Sequence, residues 1–136
     1  MLIHKEISVQ TSERNELIDI TKSVEKEISE KDLDEGLVNI FVPHATAGVT
    51  INENADPNLP KDISNFLSEK VFEGKWLHDK IDGNADSHIK SSIIGNSVII
   101  PVQEEKMLLG RWQDIFLCEF DGPRKRKIIL SLIKNQ

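Results

Sequence analysis

The sequence predicts an α+β protein built largely on antiparallel strands. Two observations carry that expectation. Short apolar runs separated by turn residues crowd the second half of the chain, and only two long stretches repeat apolar residues at helical spacing. No internal repeat, linker or low-complexity tract interrupts the pattern, and 136 residues suit one compact domain over 1–136.

Residues 2 to 10 read as a strand with Ile3, Ile7 and Val9 at apolar positions. A helix is expected next, capped by Ser12, with Leu17, Ile20, Val24 and Ile28 on its inner face. "EGLVNIFVPHA" reads as a buried strand and "GVTINEN" as a second, short one. The second main helix opens near Pro60, because proline suits a first helical turn, and turns Ile63, Phe66, Leu67 and Val71 inward. "EGKWLHDKIDGNAD" reads as a loop, and "SHIKSSIIG" as a short helix stopped by Gly95. The remainder is β: "SVIIPVQ", the turn "EEK", "MLLG", "WQDIFLCEF", the turn "DGPR" and "KIILSLI". Alternate apolar positions on both sides of the last strands point to a homo-oligomer.

Composition narrows the function classes. A net charge of −6 argues against nucleic acid as the main partner, since phosphate neutralisation needs clustered Lys and Arg. The basic run Arg124-Lys125-Arg126-Lys127 lies in an alternating strand, and reads either as solvated edge charges or as a local anion site. Nothing approaches the ~18 consecutive apolar residues of a membrane helix, and no signal peptide is visible, so a cytoplasmic protein without a membrane partner is expected. The single cysteine, Cys118, sits in an apolar run and reads as a packing residue.

Three of the four histidines stand at element ends or in loops, where a rigid scaffold can aim functional groups. His44 ends a strand after Pro43, His78 lies in "WLHD", and His88 opens the short helix. Neutral imidazole is the commonest transition-metal ligand, yet this spacing matches no familiar zinc signature, so surface or capping roles stay open. His4 reads as structural. Asn52, Glu53, Asn54 and Asp56 follow a strand end, and could orient an imidazole, bind a metal or simply form a turn. In "GNADSH" helix capping by Asp86 or Ser87 explains much of the polarity around Asn84. Gln113 stands at a strand start, and Arg124 could reach an anion or Glu119 from its hairpin turn. No phosphate-binding glycine loop, dinucleotide fingerprint, nucleophilic serine elbow or Cys-x-x-Cys pair is present.

Three blocks, "HATAGVTINENADP", "WLHDKIDGNADSHIKSSIIGNSVIIPV" and "LGRWQDIFLCEFDGPR", together resemble the YjbQ-like family, known as secondary thiamine-phosphate synthase. The likeness runs in order from about His44 to Arg126, roughly two-thirds of the chain. It implies an α+β fold with an antiparallel β-sandwich-like core and two main helices, assembled as a homotrimer. The family's motifs fall on His44, on Asn52 to Pro57, on His78, and on His88 with Lys90. The implied site has His44, His78, His88 and Glu53 as catalytic groups, the three histidines also holding a divalent metal ion, Zn or Mg. Asn54, Asn84, Lys90, Gln113 and Arg124 would bind a small phosphorylated metabolite. Arg111 and Asp114 stand where the family commonly has Thr and Gly.

The implied activity joins a phosphorylated thiazole to a pyrimidine pyrophosphate. The metal, Lys90 and Arg124 would neutralise the leaving pyrophosphate. Three histidines suit Zn²⁺ better than pyrophosphate-bound Mg²⁺, which prefers oxygen ligands. Two alternatives stand beside that expectation: a metal-dependent hydrolase with Glu53 as base, and a non-enzymatic trimer binding a metal or phosphometabolite.

Overall fold

The computed structural model describes residues 1–135. The architecture is α+β, with eight strands in two antiparallel sheets and three α-helices among the described residues. In chain order the elements are β1 (Leu2–Gln10), β2 (Glu16–Asp19), α1 (Thr21–Glu30), β3 (Glu35–Phe41), β4 (Ala47–Glu53) and α2 (Asn58–Lys70). A 3₁₀ turn (Leu77–Lys80), α3 (Ala85–Ile94), β5 (Ser97–Gln103), β6 (Lys106–Met107), β7 (Gln113–Glu119) and β8 (Lys125–Lys134) complete it. The larger sheet runs β1-β8-β3-β5-β6 and the smaller β2-β7-β4.

The period-two pattern decides which side chains fill the space between the sheets. Val38, Ile40, Ile100, Val102, Ile128, Leu130 and Leu132 face inward from the larger sheet, and Val49, Ile115 and Leu117 from the smaller. Val24 and Ile28 of α1 close the same core. Each such side chain contributes about 1.5–3 kcal/mol by leaving water. β7 is buried on both faces because the smaller sheet has a second layer behind it. There Phe116, Cys118 and Phe120 pack with Leu67 of α2, and Ile94 of α3 leans on the same cluster. Burial pushes the Cys118 thiol up to about 12, as suits a packing residue.

Four sequence expectations are corrected. The first helix starts at Thr21, not after Ser12, because Glu16 binds the Ser12 and Glu13 amides and folds that segment into a turn. Leu17 and Ile18 then pair with Cys118 and Leu117 as a strand, and the Asp19 carboxylate accepts the Thr21 amide and hydroxyl at the true helix start. Phe66 faces solvent, while Leu67 and Val71 turn inward. "MLLG" contributes only the two-residue β6 with Lys106. The basic run is not uniformly solvated: Lys125 to Lys127 open β8 beside β1, beyond the end of β3, and Arg126 among them is fully buried.

Candidate functional site

The segment between β3 and β4 is shaped by β8. Continuing the β3–β8 register past Phe41↔Ile129 would set residue 43 opposite Lys127, but the chain leaves the sheet there, at a proline. The Lys127 amide is instead capped by His44, whose Nε2 accepts its hydrogen at 3.0 Å. Two residues on, Arg126 donates to the Thr46 carbonyl at 3.1 Å and the Thr46 hydroxyl at 2.9 Å. Arg126 also makes a two-pronged bond to Glu119, whose other partners are the Thr11 hydroxyl and the Phe120 and Asp121 amides. Burial alone would raise the Glu119 carboxyl, but Arg126, the Asp121 amide and Thr11 outweigh it and hold the acid ionised.

α3 is docked against the same segment. Ser91 donates to the Ala47 carbonyl at 2.7 Å, the Val49 amide to Gly95 at 3.1 Å and the Val42 amide to Asn96 at 2.8 Å. Between loop and helix lies a cavity of about 470 Å³, lined by His44, Ala45, His88, Ser91, Ser92, Gly95 and Asn96. The neighbouring 3₁₀ turn is fastened to α3 by Asp79, which accepts the Trp76 and Ala85 amides, each at 3.0 Å. Those two bonds hold the Asp79 carboxyl below the usual carboxylate range. They also bring His78 edge-on to His88, ring centroids 4.9 Å apart.

Thus His44 and His88 share one cavity, and His78 touches His88 from the other side. Burial, with Arg126 second, lowers the His44 imidazole below its ordinary range against the opposing pull of Glu119. Near neutral pH His44 is uncharged, with Nε2 accepting and Nδ1 carrying the proton. Its one lone pair is therefore engaged. Among the described residues no three His, Cys, Asp or Glu side chains converge as a metal site would need. As they stand, the three histidines do not fit a divalent ion.

The other expected site residues lie elsewhere. Glu53 ends β4 opposite Gln113, and six residue rises of ~3.4 Å place it ~20 Å from Ala47. Beside it Asn54 donates to Asp19 at 3.1 Å and Asp114 at 2.9 Å, so Asp114 serves that end of the sheet. Gln113 accepts the Gly110 amide. Arg111 lies over the Trp112 ring, 4.5 Å from its centroid. Lys90 is buried on the α2 side of α3, paired with Asp86 at 3.3 Å and donating to Asn15 at 3.1 Å. Asn84 donates to Asp121 at 2.9 Å, and Arg124 binds the same carboxylate at 3.1 Å. The residues that position the cavity, Arg126, Glu119, Thr46 and Asp79, are absent from the sequence-based set. Arg126 had a visible signal, since it shares the parity of Ile128, Leu130 and Leu132.

Comparison with known proteins agrees with this fold. A model of the family "UPF0047 protein YjbQ-like" matches residues 5–135. The chain belongs to the UPF0047 YjbQ-like family. A UPF0047 protein of Methanocaldococcus jannaschii is 48% identical over 128 residues, covering 94% of this chain and 92% of its own. UPF0047 protein YugU of Bacillus subtilis is 41% identical over 132 residues, covering 95% and 98%. Among solved structures, a YbjQ-like protein of unknown function from Sulfolobus solfataricus superposes with a TM-score of 0.94 at 35% identity, over 99% of both chains. An uncharacterized YjbQ/UPF0047 protein of Clostridium acetobutylicum gives 0.90 at 42% identity, over 95% of this chain and 99% of its own.

These comparisons correct the functional expectation. UPF0047 relatives and structures of unknown function assign no thiamine phosphate synthesis to the family, so membership brings none to this chain. The placements also separate the parts which that chemistry was expected to combine: Lys90 is an internal ion pair, and Glu53 stands at the far end of β4.

Proposed function

We propose that this chain binds a small phosphorylated metabolite, holding its oxyanion in the cavity between His44 and α3. The observation that carries the proposal is the hydrogen bond from the Lys127 amide to His44 Nε2. It commits the imidazole to the Nδ1–H form, a neutral donor suited to an oxygen acceptor and unsuited to a cation. No carboxylate lines the cavity, and of the buried Arg126–Glu119 pair the arginine acts the more strongly on His44. The C-terminal end of a helix disfavours anions, but three carbonyls there, of Ser91, Gly95 and Asn96, are already bonded to amides.

Thermal unfolding with inorganic pyrophosphate as probe tests this. Saturable stabilisation of the wild type is expected, and little or none in His44→Ala or His88→Ala variants whose circular dichroism is unchanged. Stabilisation by Zn²⁺ alone, with none by pyrophosphate, would refute it.

The same proposal has the chain work as a homotrimer, meeting its copies through the outer face of the larger sheet. Support comes from one cross-strand row there, Leu2–Ile133–Leu37–Pro101, with Ile99 beside it, 61% exposed.

A further inference from the structure

A second cavity opens on the other side of His88. It measures about 370 Å³ and is lined by Trp76, Leu77, His78, Ala85, His88 and Ile89. No carboxylate, lysine or arginine lines it. Its rim is apolar and uncovered: Leu77 is 87% exposed, and Ile81 nearby is 79% exposed. Trp76 is held in place by stacking on Phe72, centroids 5.4 Å apart, and by its indole N–H donating to the Phe72 carbonyl at 2.7 Å.

The two cavities are consecutive on one face of α3. Ala85, His88 and Ile89 stand at i, i+3 and i+4 and face the apolar cavity, while His88, Ser91, Ser92 and Gly95 continue the same stripe along the polar one. His88 is the junction. The Ser91 and Ser92 hydroxyls donate to backbone carbonyls, so the donors left for a ligand in the polar cavity come from His44, His88 and Asn96. A ligand lying along α3 meets oxygen-seeking donors at one end and tryptophan, leucine and isoleucine at the other.

We infer that the ligand is a phosphate monoester of a flat, apolar group, with its phosphate beside His44 and its ring beside Trp76 and Leu77. This rests on the oxyanion reading above and adds the class of molecule. The volume suits it: a cavity of about 150 Å³ already admits benzene, so the apolar cavity accepts one ring with room for substituents. Size and charge argue against a free inorganic anion as the whole ligand, because that would leave the apolar cavity filled only with water. A nucleic-acid strand, which would bring many phosphates along the surface, is disfavoured by the net charge of −6.

Calorimetric titration of the full chain with phenyl phosphate and with inorganic phosphate tests the inference. Phenyl phosphate is expected to bind roughly tenfold tighter, the gain from burying much of one ring. Leu77→Ser, at an exposed position that leaves the core untouched, and Trp76→Ser should each reduce that preference while leaving inorganic phosphate binding intact. Equal affinity for the two probes, or a preference that survives both substitutions, would overturn the inference and leave the oxyanion reading standing. Binding of neither probe would overturn both.

Discussion

His44 shows how one side chain can be assigned a chemical state by its neighbours. The Lys127 amide takes its Nε2, while burial and the charge of Arg126 oppose a second proton. The groups that face it are Arg126 and Arg124, which lower its pKa, and Glu119, which raises it. Because the folded value lies below the ordinary ~6.5, the unfolded chain binds more protons across that window. His44 therefore stabilises the fold fully above about pH 6.5, and loses that contribution as pH falls toward its folded pKa. A nitrogen-detected NMR titration is expected to show Nδ1 protonated and Nε2 bare at neutral pH, with a midpoint below ~6.5. A doubly protonated ring at pH 7 would contradict both the tautomer and the proposed donor role. Arg126 and Glu119 beneath it form a different kind of pair. Removing one partner would strand a buried charge, at a cost of about 3–5 kcal/mol.

At the scale of elements, α3 is the part whose position matters most. It carries His88 on one stripe and buries Lys90 and Asp86 on another, so a shift of the helix would disturb both cavities and an internal ion pair together. Close approach to β4 is possible because Gly48 has no side chain: a Cβ there would meet the Gly95 carbonyl oxygen at 2.5 Å. That oxygen is backbone already bonded to Val49, so it cannot move aside cheaply. Gly48→Ala is expected to destabilise the fold by about 1–3 kcal/mol in urea unfolding, and to weaken pyrophosphate stabilisation in parallel. Unchanged stability would mean that the end of α3 is free to drift from β4. The 3₁₀ turn depends on Asp79 in a comparable way, since one carboxylate links the Trp76 amide to the first residue of α3.

For the whole molecule, the informative surface is the outer face of the larger sheet. Inner positions of β3, β5 and β8 fill the core, so their apolar neighbours at Leu37, Ile99 and Ile133 are left facing out. Light scattering after gel filtration is expected to give three times the 15.4 kDa chain mass. Ile99→Glu, which puts a charge into the middle of that face, should shift the protein to lower mass without loss of secondary structure. A monomeric wild type would refute the trimer, and a variant that kept full mass would place the contact elsewhere. Among the described residues, no helix is long and apolar enough to cross a membrane.

Much of this was legible in the chain itself. Pattern placed β1, β4, β5 and β8 near their observed bounds, because a strand with one buried face writes its period directly into the sequence, whereas "EGLVNIFVPHA" leaves the sheet after Phe41. Position at element ends singled out His44, His78 and His88; the fold sets His44 and His88 on one cavity and His78 against the far side of His88. Sequence by itself also determined the family, through three ordered blocks. The tertiary structure alone decided what those residues can do. Glu53 and Asn54 stand a few residues after "HATAG" in the sequence, yet the strand between carries its two ends ~20 Å apart. Lys90 looks like a phosphate contact until its helix turns it inward onto Asp86. The tautomer of His44 depends on Lys127, eighty-three residues away, and no local pattern reports a bond made across the sheet.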